Sequence, residues 1–221
     1  MAWQQDDVRI EVAKPIHKDG ILDLAEQAFN EHEPISEALK TPWERVKEGW
    51  NKTVDLSLAH PPCSHVALNS SNKIVGFRLS RILDLQTYKP GDSLMEFVEG
   101  GVVRSILDRL TVDWAEFLLN DEGKPSRKVL QFLALSVHPD YGGRGLGEKM
   151  CQENLALAEQ LGCEYCLVVG SNWISQRIFE KLGFSTWKQV EYDEYKDKVQ
   201  MTNPKQKYSK AYVLKLGKRT G

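Results

Sequence analysis

The feature that most restricts the fold of this chain is a glycine-rich turn between an apolar run and a helical pattern. Residues 129–137 form a dense apolar run of β character, and four glycines stand within residues 142–147. Residues 144–161 then place apolar side chains at helical spacing and end at Gly162, a residue type common at helix C-termini. A strand that turns sharply into a helix predicts an α/β arrangement, in which helices pack on a sheet.

The same turn predicts a binding site for an anion. Glycines let the backbone approach a ligand closely and point several N–H groups in one direction, and the helix N-terminus adds a partial positive charge. Arg144 lies within the turn. The alternative is a plain connection between strand and helix, with Arg144 exposed to water. The strand, the helix and the arginine together favour a phosphate or pyrophosphate ligand.

Two common nucleotide motifs do not fit this segment. Gly143, Gly145 and Gly147 are spaced GxGxG rather than GxGxxG, and no suitably placed acidic residue supports a dinucleotide fold. No Lys-Ser or Lys-Thr pair follows the glycines, as a P-loop requires. The predicted anion therefore belongs to neither a dinucleotide nor a nucleoside triphosphate held in the usual way.

The remaining pattern predicts one mixed α/β or α+β domain over residues 1–221. Apolar residues alternate at residues 8–12, which predicts a strand, and helical spacing from Ile21 to Phe29 predicts a helix that ends before Pro34. Further strands are predicted at residues 65–68, 74–82, 165–169, 184–190 and 208–216, further helices at 35–50 with a break near Pro42, at 94–119 and at 173–182, and a mobile loop at 191–207.

Composition narrows the class of protein. Lys and Arg total 29 against 31 Asp and Glu, so the net charge of −2 argues against a nucleic-acid partner held by bulk charge. Apolar runs are shorter than a membrane span and the N-terminal residues are polar, which predicts a cytoplasmic protein with no membrane partner. The four cysteines include one CxxC, Cys163 to Cys166, without histidines at metal-ligand spacing, so we expect buried thiols and no metal.

Residues 142–147 resemble the acetyl-CoA-binding signature of the GNAT superfamily of N-acetyltransferases: Arg or Gln, any, any, Gly, any, Gly or Ala. Gly142 stands at the Arg or Gln position, which removes a side-chain contact but leaves the backbone donors. Residues 172–175 and 179–184 are similar to a second family segment, "Asn, any, any, Ala or Ser … Tyr-Glu-Lys-Leu-Gly-Phe". The resemblance covers about residues 129–190.

The resemblance implies a splayed, mostly antiparallel mixed sheet that holds acetyl-CoA where two parallel strands separate. The residues implied in acetyl-CoA binding are Leu135, Ser136 and Val137 on the strand, Gly142, Gly143, Arg144, Gly145, Leu146 and Gly147 in the turn, and Asn172 and Ser175 on the other side. No metal is implied.

The catalytic residues follow from a closer resemblance, to the insect-type arylalkylamine N-acetyltransferases. In much of the superfamily a tyrosine acts as the acid, and Phe179 stands at that position here. The insect-type enzymes have an early Glu-Pro-Leu segment and two serines four residues apart, matched here by residues 33–35 and by Ser171 and Ser175. The resemblance implies that Glu33 is the base and that both serines assist in proton handling.

The implied reaction is transfer of the acetyl group of acetyl-CoA to a small primary amine, such as dopamine, serotonin or tryptamine, by a monomer or weak dimer. The alternatives are another amine, such as a polyamine, an amino acid or a protein N-terminus, or a non-catalytic acyl-CoA-binding protein. Several residues have a second interpretation. Ser171 is also a candidate for the cap of the following helix, and His138 is an alternative candidate for the base. The aromatic residues Trp43, Trp50, Phe77 and Trp114 form either the wall of the amine pocket or part of the core.

Overall fold

The computed structural model describes residues 7–29, 32–87, 101–120 and 128–217. Its strands are β1 (Val8–Val12), β2 (His65–Asn69), β3 (Ile74–Asp84), β4 (Lys128–Val137), β5 (Tyr165–Gly170), β6 (Ser185–Glu191) and β7 (Tyr208–Lys215). They form one sheet in the order β1-β2-β3-β4-β5-β7-β6. Neighbours are antiparallel except β4 and β5, which are parallel. The predicted mixed, mostly antiparallel sheet is confirmed.

Seven α-helices connect or flank these strands in the described part of the chain. They are α1 (Lys18–Leu24), α2 (Pro34–Leu39), α3 (Trp43–Leu58), α4 (Val102–Thr111), α5 (Trp114–Asn120), α6 (Leu146–Gln160) and α7 (Trp173–Lys181). A π-helical turn, Ala25–Phe29, extends α1. The break between α2 and α3 falls at Pro42, as predicted, because Lys40 takes a left-handed conformation that ends α2. α3 runs to Leu58, further than the predicted limit of Trp50.

Helices cover both faces of the sheet, which explains why nearly all of β3 is buried. On one face, Ile21 of α1 and Val54 of α3 pack with Phe77 of β3. On the other face, Cys151 of α6 and Phe179 of α7 pack with side chains of β4, β5 and β7. A third cluster joins α4 and α5 to β5 and β6. The strands therefore carry side chains to three separate core clusters.

The two parallel strands separate part-way along their length. β4 and β5 pair from Val129 with Tyr165 to Phe132 with Val168, and β4 then continues to Val137 paired with β3 alone. A β-bulge lies at this point, because Leu133 has no partner on β3 between the paired Phe132 and Ala134. A bulge bends its strand. The implied splay of the sheet is therefore present, and it begins at the bulge.

The segment before β7 is a loop, as the sequence predicts, apart from a short 3-10 turn at Tyr192–Tyr195. Residues 191–207 were expected to form a mobile loop because they are rich in charge. Tyr192 and Val199 are each only 2% exposed and belong to the same apolar cluster as α4 and α5. Two apolar anchors fix this segment in place, and charged residues occupy its outer side. The predicted helical residues 94–100 lie outside the described residues.

Candidate active site

A cleft of about 1650 Å³ opens where β4 and β5 separate. Its walls come from the end of α1, from α2 and α3, from the outer half of β4, from the start of α6 and from α7. These elements are distant in the sequence, and the sheet brings them together. The cleft therefore has β4 on one side, the N-terminus of α6 at one end and residues of α2, α3, α4 and α7 around the rest.

The β4 wall of the cleft contains Leu135, Ser136 and Val137. Each of the three pairs with a β3 residue, and none pairs with β5. Their backbone groups on the β5 side therefore lack a strand partner within the described residues. Every backbone N–H and C=O needs a partner or water, so this edge suits an extended ligand with amide groups.

The glycine loop, residues 142–147, forms the end of the cleft at the α6 N-terminus. All its residues except Arg144 line the cleft. Gly143 and Gly145 have φ of +70° and +78°, values that side chains other than glycine rarely adopt. This conformation turns the chain from β4 into α6 and leaves open space beside both Cα atoms. The helix N-terminus and its N–H groups then favour an anion there.

Arg144 is the one residue of the glycine loop that does not line the cleft. Its side chain is exposed outside the cleft, and its guanidinium carbon lies 5.5 Å from the ring centroid of Tyr141. The backbone of the loop, rather than this side chain, is what the structure places against the cleft. His138 also lies outside the cleft, where its Nδ1 accepts a hydrogen bond from the Asp140 N–H at 3.3 Å.

The start of α7 supplies the opposite wall, with Ser171, Asn172 and Ser175 all lining the cleft. Asn172 is the helix cap: its Oδ1 accepts a hydrogen bond from the Ile174 N–H at 2.8 Å. The alternative interpretation of Ser171 as the cap is therefore wrong. The Ser175 hydroxyl donates to the Asn172 carbonyl at 2.8 Å, which holds this side chain beside the cleft.

Glu33 lies at the N-terminus of α2 and lines the cleft. Its Oε2 accepts a hydrogen bond from the Ser36 N–H at 2.8 Å, so the carboxylate caps the helix. Pro34 follows as the first helical residue, where a missing N–H costs nothing. The Glu-Pro pair thus has a structural reason: it starts a helix and fixes a carboxylate at the cleft.

Tyr192 and Ser209 add polar groups that the sequence did not indicate. The Tyr192 hydroxyl donates to the Ser171 carbonyl at 2.7 Å. Burial, together with the nearby Glu33 carboxylate, raises the pKa of this hydroxyl well above its usual value. Ser209 lines the cleft, and its buried Oγ lies beside the same hydroxyl without completing a hydrogen bond. Tyr192 thus fixes the backbone of Ser171 from behind the cleft.

The aromatic residues divide between cleft and core. Trp50 lines the cleft together with Phe29, and their ring centroids lie 4.9 Å apart at a steep angle. Trp43, Phe77 and Trp114 are buried in the core, so the pocket interpretation is wrong for these three. Phe29 was missed because it closes an apolar helix face and its sequence position resembles any core residue.

Phe179 and Arg78 lie at the inner end of the cleft. Phe179 is 1% exposed and packs against the rings of Phe132, Phe184 and Tyr212 at centroid distances of 5.7–6.3 Å. Arg78 is also 1% exposed, and nothing in the sequence indicated it, because it stands inside an apolar strand. The inner end of the cleft therefore combines an aromatic wall with one buried cation.

Basic side chains outnumber acidic ones around the cleft. Among the described residues that line it, the acidic ones are Glu33 and Glu148 and the basic ones are Lys40, Arg45, Arg78, Arg177 and Lys181. Glu148 lies 2.8 Å from the Lys181 ammonium, so an ion pair neutralises much of its charge. The net field of the described lining therefore attracts an anionic ligand, with Glu33 as the negative group opposite the glycine loop.

The cysteines are free and buried, and burial raises the pKa of each thiol. Cys163 and Cys166 belong to the core cluster beneath α6 and α7, which agrees with the expectation of structural thiols. The described ranges contain no group of three or more His, Cys, Asp or Glu side chains placed to hold a metal ion. Within those ranges, every helix is too short or too polar to cross a membrane.

Solved structures with the same fold include several acetyltransferases. Arylalkylamine N-acetyltransferase 2 from Aedes aegypti superposes with a TM-score of 0.74 at 20% identity, covering 95% of this chain and 99% of that chain. A polyamine N-acetyltransferase from Drosophila melanogaster, which forms N-acetylagmatine, gives 0.74 at 19% identity, with 95% and 100% covered. The ribosomal-protein-S18-alanine N-acetyltransferase from Escherichia coli gives 0.55 at 13%, with 97% and 99% covered. At these identities the likeness shows the fold.

The splayed sheet, the glycine loop and the basic cleft define an α/β fold whose cleft suits an extended, anionic ligand. The sequence match is more specific. Residues 21–184 match the Acetyltransferase (GNAT) family, and the chain belongs to this family. Enzymes of the family use acetyl-CoA as the acetyl donor. The predictions of a GNAT domain and of an acetyl-CoA-dependent N-acetyltransferase are confirmed.

Proposed function

We propose that this enzyme acetylates a small primary arylalkylamine and that Glu33 acts as the general base. One observation carries the proposal: the Glu33 carboxylate and the Phe29 and Trp50 rings line the same cleft as the glycine loop. A carboxylate binds an ammonium group, and an aromatic wall binds an aryl ring. This pairing matches the two ends of an arylalkylamine.

Two features of the cleft suit acetyl-CoA. The glycine loop offers N–H groups and a helix N-terminus to the pyrophosphate, and the open edge of β4 offers backbone groups to the pantetheine amides. When bound, acetyl-CoA supplies an activated acetyl group as a thioester. In this arrangement the backbone of Leu135, Ser136 and Val137 binds the pantetheine arm of acetyl-CoA. Asn172 and Ser175, at the start of α7, contact the arm from the other side.

The base is needed because an alkylamine is mostly protonated at neutral pH and only the neutral amine is a nucleophile. Glu33 accepts the proton of the ammonium group, directly or through water. Capping by Oε2 is compatible with this role, because a carboxylate has lone pairs on both oxygens. Ser171 and Ser175 lie across the cleft as hydroxyl partners for the proton, and Tyr192 fixes the backbone of Ser171.

A polyamine is the second candidate substrate, and the charge of the cleft favours the arylalkylamine over it. A polyamine carries two or more ammonium groups, each of which gains from its own carboxylate. In the described lining, Glu148 is already paired with Lys181, so Glu33 is the one carboxylate available to an amine. The basic side chains nearby oppose a second cation.

The test is acetyl transfer by the Glu33→Gln variant, measured by thiol release over a panel of amines. Gln keeps the oxygen that caps α2, so the helix should remain while the basic group is lost. We expect kcat/KM for an arylalkylamine to fall by roughly 10²–10⁴, the usual range for a lost general base. Glu37→Gln on the same helix is the matched control, because Glu37 does not line the cleft.

Two further results would decide the proposal. An aromatic amine of low basicity, already neutral at the assay pH, should partly rescue Glu33→Gln. Near-normal activity of Glu33→Gln with a strongly basic amine would exclude Glu33 as the base. A panel in which polyamines react better than arylalkylamines would contradict the proposed substrate class and leave the family assignment unchanged.

A further inference from the structure

Arg78 is a buried cation that finds no counter-ion among the residues that the structure describes. It lies in the middle of β3 and is 1% exposed. Its Nε and Nη2 are buried without a hydrogen-bond partner among the described residues, and its side chain forms no ion pair with any of them. Buried charges in proteins are ordinarily paired, because an unpaired one loses its hydration without compensation. This arginine therefore requires an explanation.

The groups around Arg78 do not neutralise it. Its guanidinium carbon lies 3.5 Å from the ring centroid of Phe132 and 5.9 Å from that of Phe179. The ionisable groups that act on it are the thiols of Cys63, Cys151 and Cys166. Burial raises the pKa of all three thiols, so they stay neutral at physiological pH. Burial lowers the pKa of Arg78 only to about 10, so the side chain stays charged.

The position of Arg78 connects it to the site of acetyl transfer. It lines the cleft, and the ring on which it stacks, Phe132, belongs to the last β4 residue that pairs with β5. The cation therefore lies at the point where the two parallel strands separate. The second ring beside it is Phe179. The resemblance aligns this residue with the family's usual acid, and a phenylalanine cannot donate a proton.

A purely structural explanation is weaker. Stacking on Phe132 gives a cation–π contact, but such a contact offsets only part of the cost of removing a guanidinium from water. A purely structural role would also be filled better by an uncharged side chain of the same length. Arg81, three residues along the same strand, shows the usual solution: its Nε donates to Gln131 Oε1 at 2.7 Å.

We propose that Arg78 stabilises the thiolate sulfur that CoA carries as the leaving group, in place of the missing tyrosine acid. This rests on the proposed acetyl transfer to an amine. The amine nitrogen forms a bond to the acetyl carbon, the carbon–sulfur bond breaks, and its electron pair stays on sulfur. Glu33 passes the first proton of the ammonium group to water before the attack and then accepts the second proton, which the nitrogen loses as the amide forms. Arg78 balances the negative charge on sulfur, so the step needs no proton donor at Phe179.

The test measures the pKa of the thiol of bound CoA, without any amine present. The probe is the ultraviolet absorbance of the thiolate as pH rises, with dethio-CoA as the blank. In the wild-type enzyme we expect the pKa of the bound thiol to be lowered by about one unit or more, the usual effect of a cation at close range. In Arg78→Met this shift should disappear. Arg81→Met is the matched control, and its bound thiol should keep the wild-type pKa.

Kinetics and stability provide two independent readouts. Arg78→Met should lower kcat by about 10²-fold, comparable to the loss of one donor to a developing anion, with little change in the KM for acetyl-CoA. Its melting temperature should rise, because the substitution removes an unpaired buried charge. Arg78→Lys, which keeps a cation, should retain part of the thiol pKa shift.

Several outcomes would overturn the proposal. One is an ordinary pKa for the thiol of CoA bound to the wild-type enzyme. This measurement does not depend on whether any variant folds. Another is an unchanged thiol pKa in Arg78→Met, with activity lost only for amines that bear a carboxylate, since Arg78 would then bind the substrate. Because CoA binding is measured without an amine, failure of the proposed amine specificity would leave the thiol result intact, and the two failures can be told apart.

Discussion

At the scale of single residues, Gly145 offers a direct test of the glycine loop. Its φ of +78° is strained for other residues, and it lines the cleft. Gly145→Glu adds a negative charge where the pyrophosphate should bind, so we expect acetyl-CoA affinity to fall at least tenfold, about 1.4 kcal/mol or more. Isothermal titration of acetyl-CoA measures this change.

The control for Gly145 separates backbone strain from the loss of the anion site. Gly162 also has a φ of +78° and open space beside its Cα, but it follows the other end of α6 and does not line the cleft. Gly162→Glu should therefore lose similar stability and keep its affinity for acetyl-CoA. Equal affinity losses in the two variants would contradict the predicted phosphate site.

Residues that act through the backbone were easier to predict than residues that act through burial. The glycine loop was predicted because glycine spacing reports directly on backbone geometry. Glu33 was implied by a short resemblance, and the structure adds that it caps α2. Arg78 and Tyr192 were missed because their roles depend on neighbours from other elements. A sequence pattern predicts the face of an element on which a side chain lies, but it does not show which residues of other elements will contact that side chain.

At the scale of elements, Asn154 fixes α6, and with it the glycine loop, to the sheet. The Ser80 hydroxyl donates to Asn154 Oδ1 at 2.5 Å, and the Asn154 amide donates to the Cys63 carbonyl. Ser80, Asn154 and Cys63 are all buried, so the loss of one hydrogen-bond partner leaves a buried polar group unsatisfied. We expect Asn154→Leu to lower the free energy of unfolding by about 2–4 kcal/mol, measured by urea denaturation.

The matched variant for this prediction is Gln152→Leu, on the exposed side of the same helix. It should change the free energy of unfolding by less than about 0.5 kcal/mol. If Asn154→Leu proves as stable as Gln152→Leu, the buried hydrogen bonds do not hold α6 in place.

The sequence pattern predicted most elements, because the helices bury one regular face and the central strands form continuous apolar runs that are buried on both faces. The predicted ends of an element were less accurate where tertiary contacts extend that element. α3 continues to Leu58 because Val54 still packs against the sheet beyond the predicted limit at Trp50. The segment after β6 is a loop, as predicted, but its periodicity did not reveal that two buried residues, Tyr192 and Val199, anchor it to the core.

At the scale of the whole molecule, the thiols report on unfolding. All four cysteines are buried, and burial raises the pKa of Cys63 to about 12 and those of Cys151 and Cys163 to about 11. Alkylation needs the thiolate, so native protein at pH 8 should react with iodoacetamide only through rare opening. Mass spectrometry should show little modification before urea is added and four modified thiols after. Rapid labelling of native Cys163 would contradict the buried core beneath α6.

The same pKa shifts make stability depend on alkaline pH. A thiol whose pKa is raised on folding favours the folded state fully below the unfolded pKa, about 9, and this contribution is lost as pH rises through the folded value. The melting temperature should therefore decline progressively between about pH 9 and 12. A variant with Ser in place of Cys151 should lose part of this alkaline dependence.

The parallel contact between β4 and β5 also sets the order in which the chain can assemble. β2 and β3 are joined by a short hairpin, so their pairing needs little loop closure. β4 and β5 can pair only across a long connection that includes α6, because parallel neighbours need a crossover. The cleft opens at the end of this same contact. We therefore expect its two walls to meet late in folding, after the hairpin that supports one of them.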